Sequence, residues 1–125
     1  MLYAFRAESG LSGETALKIG CGLGAGMGRK QEVCGSVTGG ILVIGLRHGR
    51  GENDDTSATQ LTYARTRELM DRFAAKHGTC MCRQLLNGCE LMTEEGQKIF
   101  KENELREKTC TPTVETVVEI LETMS

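Results

Sequence analysis

Apolar residues along this chain recur at spacings of three and four, and alternating valine- and isoleucine-rich runs bounded by turns are missing. The pattern predicts helices nearly throughout and strand content close to zero. The first helix spans residues 1–9 and is stopped by Gly10, a residue suited to the left-handed position past a helix end. Ser12 caps a second over residues 13–20, with Glu14 favourable to its dipole and Ala16, Leu17 and Ile19 as its apolar contribution. A third runs from Cys34 to His48. Its apolar positions (Val37, Ile41, Leu42, Val43, Ile44, Leu46) lie on nearly all sides, which marks a helix buried at the centre of the fold.

Asp55 or Thr56 caps a long fourth helix to His77, in which Tyr63, Thr66, Met70, Phe73 and His77 follow the helical spacing, and Gly78 ends it. A cysteine-rich turn with a short helix follows over residues 79–89, then another short helix over 93–103. The last helix takes Thr111 as its cap and Pro112 as its first position, with Val114, Val117, Val118, Leu121 and Met124 inward. With no internal repeat or linker, residues 1–125 read as one all-α domain, a compact bundle of about five to seven helices around a glycine-rich central helix.

Glycines change this picture at one place. Eight of them fall between Gly20 and Gly40, and Gly35, Gly39 and Gly40 lie inside the central helix. A helix-interior glycine costs about 1 kcal/mol relative to alanine, so repeated use implies close approach of neighbouring backbone. Gly20, Gly22 and Ala25 also fit a relaxed dinucleotide pattern, but helix precedes them and no strand–helix–strand unit follows, so the glycines read as clearance around Cys34.

Charge and composition narrow the function. Fifteen Lys and Arg against 17 Asp and Glu give a net charge of −2, which supplies no basic surface for nucleic acid. The longest apolar run, Ile41 to Leu46, is far shorter than the ~20 residues that cross a bilayer, so membrane insertion is not expected and the expected compartment is the cytoplasm. Six cysteines in such a compartment favour thiol redox chemistry or metal ligation over structural disulfides.

Cys34 is best placed for chemistry, because a thiol at a helix N-terminus sits beside unpaired amide donors and the positive end of the dipole. The plain alternative is a small buried apolar residue. His77, Cys80, Cys82 and Cys89 could bind metal but match no standard zinc spacing. His48 and His77 stand near helix C-termini, where a cation is favourable. Glu115, Glu119 and Glu122 lie on a solvated helix face, and the scattered methionines read as core filler.

The stretch "CGSVTGGILVIGLRHG" resembles the signature of the C_GCAxxG_C_C family of redox-active proteins, with Cys34, Gly35 and Gly39 matching and Ser36 where alanine is usual. The glycine run ending in "GAGMG", the segment "CRQLLNG" and the segment "CTPTVETVVEILE" resemble the family in the same order. The resemblance implies a redox-active or metal-binding cluster of four cysteines, of which Cys34, Cys82 and Cys110 have counterparts here. It puts the first family cysteine upstream of Met1. That implies either a start drawn too late or a codon read as something other than cysteine, recoded selenocysteine included. Alternatively Cys21, Cys80 or Cys89 stands in for it.

Three readings follow. In the first, the clustered cysteines carry out thiol-disulfide exchange or electron transfer, as in a thiol-disulfide oxidoreductase, with the cofactor, if there is one, left open: a Cys34 thiolate attacks an oxidised redox protein partner, and Cys82 or Cys110 resolves the mixed disulfide. In the second, Cys34, Cys82 and Cys110, with Cys80 as the fourth ligand, hold an iron-sulfur cluster or zinc. In the third, the cysteines merely pack, and the glycine face and apolar helix form a homodimer contact.

Overall fold

A computed structural model of the protein describes residues 1–124. Among these it has seven helices and no strand. They are α1 (Arg6–Ser9), α2 (Gly13–Gly20), α3 (Gly35–His48), α4 (Thr56–His77), α5 (Cys82–Leu85), α6 (Glu94–Glu102) and α7 (Thr111–Thr123). The expected all-α bundle around the glycine-rich helix is what forms.

The local signals explain most helix ends. Ser12 accepts a hydrogen bond from the Thr15 amide at the start of α2, and Asp55 accepts one from the Ser57 amide at the start of α4. Gly10 and Gly78 adopt left-handed φ of 73° and 86° just past α1 and α4. Thr93 caps α6 through the Gly96 amide.

Two ends depart from expectation. The first helix begins only at Arg6, because Phe5 offers no capping side chain and the residues before it form turns. Thr111 is no cap: it is already helical, and a widened π turn over Arg106–Cys110 runs straight into α7. The physical reason is Pro112, whose missing amide and bulky ring reject an ordinary turn before it.

Helix α3 packs against α4 and α7, and these two also pack on each other. Val37, Val43, Ile44, Leu69, Phe73, Val117 and Leu121 are fully buried between them. Each such side chain contributes about 1.5–3 kcal/mol of transfer free energy. The glycine side of α3 is filled from within the chain: a Cβ on Gly40 would lie 2.8 Å from Val117 and 2.9 Å from Leu69. That side is therefore not free for a contact between copies. Arg47, in the last turn of α3, pairs with Glu8 and donates to the Leu121 carbonyl at 2.8 Å, tying α1 to the end of α7.

Some apolar positions expected to face inward do not. Leu17, Ile19, Tyr63 and Val114 are exposed, whereas Thr113 and Thr116 on α7 are buried. The core boundary runs one helical step away from the apolar stripe, because the threonine hydroxyls find partners inside the fold. No helix among the described residues is long and apolar enough to cross a membrane.

Candidate functional site

Between α2 and α3 the glycine stretch makes an unusual turn. Ala25, Gly26, Met27, Gly28 and Arg29 all have φ between 54° and 69°, a single turn of left-handed helix. Each non-glycine residue held there costs about 1–2 kcal/mol, so something must hold the turn in place. Gln31 does so. Its side chain is buried, donates to the Cys89 carbonyl at 2.6 Å and accepts from the Leu91 amide at 2.8 Å. Its own amide closes the turn on the Ala25 carbonyl at 3.2 Å.

The turn delivers the chain to Cys34. There Val33 and Met81 form an antiparallel bridge, with the Cys34 amide on the Cys80 carbonyl at 2.8 Å and the Cys82 amide on the Glu32 carbonyl at 2.7 Å. This backbone pairing draws the "CMC" segment alongside the start of α3, where Cys34 is the N-cap residue. Cys80 turns its thiol toward α4, donating to the Met70 carbonyl at 3.5 Å.

Cys21, Cys34, Cys82 and Cys110 line one cavity of about 600 Å³, with Leu23 and Val114 among its walls and Met1 at Gly39. Cys80 and Cys89 do not line it. The Cys89 thiol donates to the Gly96 carbonyl at 3.2 Å, and the His77 ring bonds Thr116 at 2.8 Å. Neither joins the other sulfurs.

One side chain links the Cys34 thiol to the backbone of Cys110. Thr113 donates its hydroxyl proton to the Cys110 carbonyl and accepts from the Cys34 thiol at 3.7 Å. Its second lone pair lies 3.0 Å from Ser36, which must then be the donor. Its one donor and two acceptor sites are all used. Nothing in the sequence singled out Thr113 or Gln31, since both act through contacts far along the chain.

Electrostatics divides the thiols. Burial pushes Cys82 up to about 11, helped by the nearby charges of Cys34, Cys110 and Cys89, with Arg83 opposing. Burial and the Cys34 charge also raise Cys110, against Arg106, and raise Cys80. Among the described residues no three or more His, Cys, Asp or Glu side chains converge to hold a metal ion. Cys21, Cys34, Cys82 and Cys110 share the lining of one cavity without converging as a ready-made ligand set.

A family model described as "Putative redox-active protein (C_GCAxxG_C_C)" matches residues 1–124. No curated protein and no solved structure matches the chain.

Proposed function

Because the chain belongs to the C_GCAxxG_C_C family, we propose that it performs thiol-disulfide exchange, with Cys34 as the attacking thiolate and Cys82 or Cys110 as the resolving thiol. What carries this reading is the single cavity onto which all three residues open. Cys34 stands at the N-cap of a 14-residue helix, beside the unpaired amides that stabilise an anion.

In the first step the Cys34 thiolate attacks one sulfur of a partner disulfide. A Cys34 mixed disulfide forms and the partner's other sulfur leaves as thiolate. In the second, the resolving thiolate attacks the Cys34 sulfur, forming an internal disulfide and expelling the remaining partner thiolate. Two protein thiols are oxidised, one partner disulfide is reduced, and the two thiol protons pass to the products.

The order of the steps has an electrostatic cause. Besides burial, a thiolate at Cys34 pushes Cys82 and Cys110 toward their protonated forms. Capture of Cys34 in the mixed disulfide removes that charge, so the resolving thiol ionises more readily after the first step than before it.

The test is alkylation quench and intact-mass analysis of Cys34→Ser, Cys82→Ser and Cys110→Ser after exposure to a disulfide. Cys34→Ser should form no mixed disulfide, and one of the other two should accumulate it. Peptide mapping of the oxidised protein should join Cys34 to Cys82 or Cys110. Oxidation of Cys34→Ser at the wild-type rate, or a map joining only Cys21, Cys80 or Cys89, sinks the proposal.

A further inference from the structure

Cys82 and Cys110 also line a second cavity, of about 500 Å³. Arg29, Lys101 and Arg106 line this one, and Phe100 and Leu86 supply apolar wall. None of the three cations is in an ion pair among the described residues, although most other surface cations near them are: Arg83 pairs with Glu90, Lys98 with Glu102 and Lys108 with Glu104. The one acid at the adjoining recess, beside Phe100, Lys101 and Arg106, is Glu107. Net local charge is positive, on a protein whose overall charge is −2.

The volume is that of a small-molecule site, and three unpaired cations converging on it select an anion. The thiols at its inner end specify what that anion must carry. We propose that the second cavity receives a low-molecular-weight disulfide bearing carboxylates, held by Arg29, Lys101 and Arg106 with its disulfide directed past Cys110 to Cys34. The proposal rests on the thiol-disulfide reading and names the substrate class for the same cysteines.

The chemistry balances without a further reagent. The Cys34 thiolate, which shares the first cavity with Cys110, attacks one substrate sulfur and expels the first small thiolate. The Cys110 thiol, losing its proton beside Arg106, then attacks the Cys34 sulfur and expels the second. The internal Cys34–Cys110 disulfide forms, the substrate disulfide becomes two thiols, and these take the protons lost by Cys34 and Cys110. Run in reverse, the same path lets a carboxylate-bearing thiol reduce the protein.

Left-handed geometry gives Arg29 its place here. As the last residue of the left-handed turn (φ 69°), it sits where the glycine stretch forms part of the wall between the two cavities, and Ala25 of the same turn lines both.

The experiment follows oxidation of the reduced full chain by intact mass, with three probes: oxidised glutathione (anionic), bis(2-hydroxyethyl) disulfide (neutral) and cystamine (cationic). Each rate is normalised to that of the same probe with free N-acetylcysteine. At low ionic strength glutathione disulfide should exceed the neutral probe by about tenfold or more, the lower range of electrostatic focusing, and cystamine should fall below it. Added salt and the variant Arg29→Ser/Lys101→Ser/Arg106→Ser should each remove most of that advantage. Lys101→Glu alone, a single exposed substitution, should lower it severalfold if the triple variant folds poorly. Equal normalised rates, or an advantage that survives loss of the cations, overturn this inference while leaving the exchange reading intact. Failure of all three probes to oxidise Cys34 and Cys110 overturns both.

Discussion

Replacing Gly26 with alanine tests how the cavity wall is built. Gly26 has φ 66°, and a Cβ there would lie 2.5 Å from the Gln31 Cα, 2.7 Å from the Glu32 amide nitrogen and 2.8 Å from the Cys82 Cβ. Two of those contacts are backbone and cannot swing aside. The left-handed conformation costs alanine about 1–2 kcal/mol, and forcing a methyl into a filled site adds about 1–3 kcal/mol. Set against the smaller unfolded-state entropy of alanine, about 0.4–1 kcal/mol, the net loss is about 2–4 kcal/mol. With a urea slope of about 2 kcal/mol/M, the midpoint should fall by about 1–2 M. Gly20 is the internal control. It lies six residues earlier in the same stretch, with φ −83° and nothing within 4 Å of its Cβ position. Gly20→Ala should raise the midpoint by about 0.2–0.5 M, because only the unfolded-state term remains. Urea titrations of both variants, followed by far-UV circular dichroism, decide the matter. If Gly26→Ala shifts the midpoint by less than about 0.25 M, a change of about 0.5 kcal/mol, the glycine is not clearance around Cys82 and the argument fails.

Two further outcomes follow from the same site. Thr113→Val keeps the shape but strips Ser36 and Cys34 of their acceptor and the Cys110 carbonyl of its donor; it should cost about 1–3 kcal/mol and speed Cys34 alkylation or exchange, because the bond that Cys34 donates favours its protonated form, with Thr113→Ser restoring the original values of both. Thermal melts and thiol-reaction rates across the three proteins check this, and equal melts would show the network to be incidental. Stability should also decline in alkali. The Cys82 thiol ionises near 9 when unfolded and near 11 when folded, so its contribution is intact below about pH 9 and is lost as pH rises toward about 11. Cys80 and Cys110 shift in the same direction. Urea midpoints at pH 8 and pH 10.5 should differ, and Cys82→Ala should shrink the difference; an unchanged pH dependence in that variant would remove Cys82 as its source.

The sequence by itself determined the helices, because their signals are local. Ser12, Asp55, Gly10 and Gly78 mark ends through bonds to residues two to four positions away, and the apolar wrap of Val37 to Ile44 announces a central helix. Cys34 at the head of that helix was legible for the same reason, and so was the family. Tertiary structure alone decided which thiols share a cavity, and that the Cys34 thiol is tied to Thr113, 79 residues along. It also decided that Gln31 reaches 58 residues to Cys89, and that the backbone of Glu32 and Cys34 pairs with Cys82 and Cys80. Five successive left-handed residues, three of them not glycine, are disfavoured by every local preference. Long-range hydrogen bonds override that preference, and no pattern of short spacing encodes a bond between residues that only the fold brings together.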